Sequence, residues 1–383
     1  MATPVATQLV ELIRRVGPIS FDVYTEHALY GPEGFFATGH GAGRSTGDFV
    51  TSPETGALFG ALVATALDGW WRAVGSPDPF VVIEAGAGRG RLAREVLRAG
   101  PACATALRYV MVERSEALRA HQREVLEPAV AIEPPSEALG PYVFSEESED
   151  DVAVAGQGPL VTALADLPAL RLPLGVVIAN ELLDNLATRI VERTSTGWNE
   201  IRIGYDDGTF VEVAVEAPDE LVLHLDVSID VGARVPVPVG ALVWWETLGQ
   251  SLASGVVTII DYGAPHAELA ARGGWLRTYA GHVRGSDPLF APGAHDITVD
   301  VPTDLVARAA AMHGWTCVRD ISQAEWLAEL GINERVATAR AAWDEGRHRG
   351  DVAALTARSV VHEADALTDL AGLGAFRVLE FRR

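Results

Sequence analysis

The chain is 383 residues long, with 52 acidic against 30 basic side chains and a formal net charge of −22. That balance speaks against nucleic acid and anionic membranes as partners, which need a basic face, but leaves room for a basic substrate segment. Every basic residue is arginine, which also excludes lysine-dependent chemistry such as pyridoxal Schiff bases and P-loop nucleotide hydrolysis.

Cys103 and Cys317 are the only cysteines, too few for a disulfide scaffold or a cysteine metal site, and the histidines show no ligand spacing, so no metal is expected. Residues 1–16 lack the pattern of a signal peptide and no run is long enough to span a bilayer, which predicts a cytoplasmic protein.

Val5, Leu9, Leu12, Ile13 and Val16 recur at helical spacing up to Gly17-Pro18, and Ser20 caps a second helix over 21–29. A turn-rich segment and a glycine-rich loop follow, after which Ser52-Pro53-Glu54 starts a long helix running to about residue 71. The segment Gly47-Asp48-Phe49-Val50-Thr51-Ser52-Pro53-Glu54 reads either as a plain capping motif or as a lid that closes over a ligand and excludes water. Gly43-Arg44-Ser45-Thr46-Gly47 matches a hydrolase elbow, but no apolar strand precedes it, so that reading is set aside.

The most informative stretch is Val81-Val82-Ile83-Glu84-Ala85-Gly86-Ala87-Gly88-Arg89-Gly90. An apolar, β-branched run ends in an acid, and a glycine turn opens into the helical pattern Leu92, Val96, Leu97. This is a parallel strand feeding a nucleotide-binding turn of a doubly wound sheet. A dinucleotide fingerprint reads G-x-G-x-x-G, whereas Gly86, Gly88 and Gly90 alternate here and Glu84 precedes them. A carboxylate in that place repels a pyrophosphate but suits an ammonium and a sulfonium, which favours S-adenosylmethionine over NAD. Residues 107–112 form the next strand and end at Glu113, positioned to accept from ribose hydroxyls. NAD stays open at this point, because it too presents a ribose.

Residues 133–158 are acidic and rich in proline and glycine, a solvated loop with a weak third strand. Residues 174–179 form a fourth strand, ending at Asn180-Glu181. From 187 to 225 the period switches to two, the mark of an inserted antiparallel meander. A helix at about 242–252 leads to strand 256–260 and Asp261-Tyr262-Gly263; helices at 303–313, 323–329, 334–343 and 351–364 precede a final strand at 376–381. Trp70-Trp71 and Trp244-Trp245 fit core edges better than a stacking platform.

Asn180-Glu181-Leu182-Leu183-Asp184 falls at the switch point of the sheet, where open sheets bind ligands. On a helical turn Glu181 and Asp184 share a face and would clamp a guanidinium through charge-assisted hydrogen bonds; the plainer alternative is one capping and one solvated acid.

Taken in order, these motifs resemble the MidA / NDUFAF7 family of S-adenosylmethionine-dependent methyltransferases. The segments that carry the resemblance are Tyr30-Gly31-Pro32-Glu33-Gly34-Phe35-Phe36, the GDFVTSPE run at 47–54, the glycine turn at 84–92, Asn180 to Asp184, Asp261-Tyr262-Gly263, the 287–298 loop and Leu373-Gly374-Ala375-Phe376-Arg377-Val378-Leu379. Ala85 and Ala87 depart from the family's Leu and Pro in the turn, and Asn185 and Ala187 from its Ala and Pro after the acid motif. The family includes a mitochondrial complex I assembly factor that methylates an arginine.

The resemblance implies a class I methyltransferase: an α/β, Rossmann-like, seven-stranded mixed sheet with a helical N-terminal lid and inserted β-meander and α-helical elements. The expected division is a lid region at 1–79 and a core at 80–383, with insertions at about 187–240 and 264–365. The expected cofactor is S-adenosyl-L-methionine, contacted by Glu84, Gly86, Gly88, Gly90, Glu113, Asn180, Thr51 and Ser52. Glu181 and Asp184 would bind and orient the acceptor, with Asp48 in the closing lid. The expected partner is an arginine-containing protein substrate, with a homodimer possible; a small-molecule acceptor and a non-catalytic assembly factor remain alternatives.

Overall fold

Seven strands form the central sheet, numbered in chain order: β1 (Phe80–Ala85), β2 (Leu107–Val112), β3 (Leu160–Leu164), β4 (Gly175–Asn180), β5 (Gly255–Asp261), β6 (Thr316–Ser322) and β7 (Arg377–Arg382). In space they run β3-β2-β1-β4-β5-β7-β6, all parallel except β7, which pairs antiparallel with both β5 and β6. The order reverses between β1 and β4, the switch point anticipated from the sequence. The computed structural model describes residues 3–41, 51–127, 129–140, 155–167, 172–281, 283–285, 287–348 and 352–383.

Burial on both faces explains why β1, β2, β4 and β5 read as unbroken apolar runs. Val82, Tyr109, Met111, Val176 and Ile178 point to one face, where Ala57–Ala73 and Arg91–Ala99 pack. Val81, Ile83, Val110, Val177 and Ile259 point to the other, under Val239–Ser251 and Thr303–Met312. Trp245 is fully buried in that second layer against Trp315 and Phe381, so the tryptophan pair is core.

The N-terminal helix Pro4–Val16 is capped by Thr3, whose hydroxyl accepts from the Ala6 N–H at 3.0 Å. Its buried face (Val5, Leu9, Ile13) rests against Ile201 and Ile203 of the meander formed by Arg189–Arg193, Trp198–Asp206, Thr209–Glu216 and Arg234–Val237. Ile19–Ser20 extends that same sheet, antiparallel to Trp198–Asp206. The N-terminal region therefore docks on the inserted meander.

Three details differ from the sequence reading. The helix expected from 52 to 71 is two helices, Ser52–Thr55 and Ala57–Ala73, broken at Gly56. The third strand lies just beyond the acidic stretch, at Leu160–Leu164. Finally, Thr316–Ser322 is a strand of the central sheet inside the 264–365 stretch assigned to an insertion. Among the described residues no helix is long and apolar enough to cross a membrane, and no group of His, Cys, Asp and Glu is arranged to hold a metal.

Candidate active site

A cavity of about 1070 Å³ opens at the C-terminal ends of β1, β2, β4 and β5. That is where an open α/β sheet places its ligand. Its floor is the glycine turn. Gly86, Gly88 and Gly90 all have positive φ (74°, 52° and 79°), a backbone path that a side chain would strain. The turn is fastened from below: Gly86 and Ala87 each donate to Val112 O at 2.9 Å, and Gln122 Nε2 donates to Gly88 O at 2.8 Å. A Cβ added at Gly88 would meet nothing within 4 Å, so this part of the turn borders open space.

Glu113 locks the turn to the second β–α unit. Its Oε2 accepts from the Gly88 N–H at 2.9 Å and its Oε1 from the Ser115 N–H at 2.7 Å. Each oxygen keeps a lone pair for a further donor, and the residue lines the cavity, which suits a ribose diol. Glu84 is buried and lines the cavity as well, but its carboxylate accepts from Tyr109 OH at 2.8 Å and from the backbone of Ala93. Burial pushes its pKa up to about 8. Its first task is thus to anchor the start of Arg91–Ala99; any hold on a ligand's ammonium comes in addition.

The acid pair lies on the next strand end. Glu181 sits at φ 53°, a left-handed conformation unusual for glutamate, and a 3-10 turn, Leu183–Asn185, replaces the expected α-helical turn. Both acids nonetheless line the cavity. Glu181 Oε1 accepts from the Ser52 N–H at 3.1 Å and from Asn180 Nδ2 at 3.2 Å. Its burial, and next the neighbouring Asp184, raise its pKa to about 8. Asp184 Oδ2 accepts from the hydroxyls of Tyr262 and Thr298, the latter at 2.8 Å. Asp184 Oδ1 is buried with no hydrogen-bond partner among the described residues, and so is Asn180 Oδ1. Beneath them Asp261 accepts from the backbone N–H groups of Leu183 (3.0 Å) and Asp184 (3.3 Å), fixing the turn. Burial and the proximity of Asp184 and Glu181 raise the Asp261 pKa.

Glycine turn, cavity-lining acid, open cavity and two unsatisfied buried acceptors fit an adenosine ligand with a charged amino-acid end. A family model for S-adenosyl-L-methionine-dependent methyltransferases matches residues 62–320. The chain belongs to this family. It is 28% identical over 355 residues to the mouse protein arginine methyltransferase NDUFAF7, mitochondrial, covering 87% of this chain and 76% of that one. The Drosophila melanogaster homolog of that protein is 29% identical over 346 residues, covering 85% and 74%. A Burkholderia thailandensis protein crystallised with S-adenosyl-homocysteine superposes with a TM-score of 0.78 at 29% identity, covering 99% of this chain and 92% of that one. The fold is that of class I methyltransferases, the cofactor is S-adenosylmethionine, and NAD is set aside.

The remaining expected contacts of this methyltransferase divide. Thr51 lines the cavity. Ser52 is fully buried, and its hydroxyl donates to Gln323 Oε1 at 3.0 Å, while Gln323 in turn donates to Leu367 O. The Ser52 side chain is therefore structural, and only its backbone N–H reaches the site. Asp48 and the hydrolase-like motif at 43–47 lie outside the described residues.

Four groups in the methyltransferase site had no role in the sequence reading. The Tyr30 ring stacks on Phe36 beneath the Arg114 guanidinium, and its hydroxyl faces Glu113, Asp296 and Asp184. Tyr262 and Thr298 hold Asp184, and Arg277 lies over the Tyr262 ring, 4.6 Å from its centroid. Tyr30, Tyr262 and Thr298 belong to motifs already singled out for the resemblance; Arg277 carried no distinguishing signal. Asn185, a departure from the family pattern, has a local reason: its Nδ2 donates to Asp296 Oδ1 (2.9 Å) and Ile297 O (3.1 Å), tying the acid motif to the 287–298 loop.

Proposed function

We propose that the methyl acceptor is an arginine guanidinium of a protein. The observation that carries this reading is the buried, partnerless Oδ1 of Asp184 beside Glu181, both facing the cavity. Two carboxylates placed together disfavour each other's charge, Arg277 acts on Asp184 without a hydrogen bond to it, and an entering guanidinium supplies further countercharge together with the missing donors. The names of the mouse and fly relatives agree with this chemistry. A protein acceptor also suits the mouth of the cavity, which includes the exposed side chains of Val243 and Leu370 and so admits a side chain from outside.

When bound, S-adenosylmethionine supplies an electrophilic methyl group on a sulfonium. Gly86 to Gly90 would let the backbone approach it, and Glu113 would accept from the ribose hydroxyls. Asp184 and Glu181 accept from the guanidinium N–H groups, localising its charge and leaving one nitrogen aimed at the methyl. An arginine nitrogen is too basic to shed its proton beforehand, so the proton would leave as the N–C bond forms, the methyl–sulfur bond breaks to leave a neutral thioether, and the nitrogen turns acidic. Glu181 is the residue placed to take that proton on its carboxylate. Thr51 and the Ser52 backbone close the site beside Glu181 and help exclude water.

The test is transfer of tritiated methyl groups into lysate proteins, followed by hydrolysis and identification of the labelled amino acid, with E181Q as control. Label in methylarginine that disappears in the variant supports the reading. Label in another amino acid, or only in small molecules, overturns it.

A further inference from the structure

The far wall of the cavity carries the opposite sign. Arg272 and Arg277 both pair with Asp300, which is only 6% exposed. Arg284, on the short strand Val283–Gly285 beside them, is exposed and acts on the same carboxylate from a distance. Among the described residues it has no hydrogen-bond or ion-pair partner. All three arginines line the cavity that holds Glu181 and Asp184. Two guanidinium groups thus share one carboxylate, and a third stands beside them unpaired among the described residues. Asp296, the other acid on this wall, is buried and engaged by Asn185. The site is bipolar: acids at the deep end, surplus positive charge at the rim.

We propose that this rim reads an acidic side chain flanking the target, so that the preferred acceptor is an arginine with aspartate or glutamate beside it in the substrate chain. The inference rests on the arginine reading only for which group enters the deep end. Charge complementarity supplies the rest: the rim repels a basic neighbour and offers charge-assisted, bidentate donors to a carboxylate. Arg284 contributes most, because no neighbouring acid among the described residues occupies its donors. Arg277, stacked on Tyr262 and tied to Asp300, keeps the wall in place. The chain's own strongly negative balance makes the rim a local exception that sorts substrates by what flanks the target.

The same rim chemistry would also suit the carboxylate of the cofactor, and the experiment separates the two sources. Peptides with a single arginine, flanked by aspartate, alanine or lysine, are compared for kcat/KM and, with S-adenosyl-homocysteine present, for binding by calorimetry. The expected result is a preference of about tenfold or more for aspartate over lysine flanks, residing in KM, which R284E abolishes or inverts; S-adenosyl-homocysteine binds R284E as it binds the unmodified protein. Equal affinity for the three peptides overturns the proposal even if arginine is methylated. Loss of S-adenosyl-homocysteine affinity in R284E overturns it as well, by assigning the rim to the cofactor. If no peptide is methylated, the arginine reading fails, and the binding comparison still decides on the rim.

Discussion

The backbone N–H of Ser52 donates to Oε1 of Glu181, joining the segment after the glycine loop to the acid motif 129 positions later. Glu181 and the Ser52–Thr55 helix are therefore one mechanical unit. Glutamine at 181 keeps an oxygen for the Ser52 N–H but removes the charge and the proton acceptor. We expect E181Q to lose about 10²–10³-fold in kcat while still binding S-adenosyl-homocysteine. Radiometric turnover and calorimetry on the same preparation check both halves.

Glu84 is buried and Glu181 half-buried, and both have folded pKa values of about 8 against an ordinary 4.5. A carboxyl whose pKa is raised by folding binds more protons in the folded state, so stability falls as pH rises between the unfolded and folded values. The ligand-free protein should lose stability from about pH 4.5 to pH 8, the full cost being present above the upper value. Urea unfolding at pH 6 and pH 8.5 measures it. E181Q should be more stable than the unmodified protein, with the larger gain at the higher pH. A stability profile that rises through this window contradicts the assignment.

Asp184 is raised by burial and pulled back down by Tyr262, Thr298 and Arg277, in that order. Removing the first of these donors lets burial dominate. In Y262F the acidic limb of the kcat/KM profile should therefore move to higher pH. T298A should move it the same way but less. An unshifted limb would mean that Glu181, not Asp184, sets it.

Much of this was readable in the chain and some was not, for physical reasons. Strands β1, β4 and β5 are apolar on both faces, so their sequences announce burial without help from neighbours. β6 is an edge strand, Thr-Cys-Val-Arg-Asp-Ile-Ser, partly exposed along its length, and its weak alternation looks like a connection. Glu181 and Asp184 are close in sequence and at a strand end, which made them legible. The donors that satisfy Asp184 come from positions 78 and 114 residues later, and only folding reveals them. The same limit hid the partner of the Ser52 hydroxyl, since Gln323 is 271 positions away.

Ala87 stands where relatives of the family carry proline, a change that by itself suggests a looser turn. The structure gives the alanine a compensating bond: its N–H donates to Val112 O at 2.9 Å, beside the parallel bond from Gly86. Proline has no N–H to offer. A87P should therefore cost about 0.5–1.5 kcal/mol in this chain, whatever rigidity it adds. Chemical denaturation of the variant measures the sign, and a stabilised A87P would show that turn rigidity outweighs the bond.

The break at Gly56 links stability to the site. Glu363, from the helix Val352–Thr368, accepts from the Leu58 N–H at 2.9 Å and so caps Ala57–Ala73. A Cβ at position 56 would fall 2.0 Å from the Glu363 carboxyl carbon. G56A must then expel the cap, leaving a helix N-terminus and a half-buried carboxylate without each other, at a cost of about 1–3 kcal/mol. For a chain of this size that lowers Tm by a few degrees. E363A removes the acceptor without the clash and should cost less. Because Gly56 also sets the direction of Ser52–Thr55, G56A should disturb the Ser52–Glu181 bond and reduce turnover beyond what the fall in Tm explains. E363A should not, and the difference between the two variants in turnover measured well below Tm isolates the contribution of that bond.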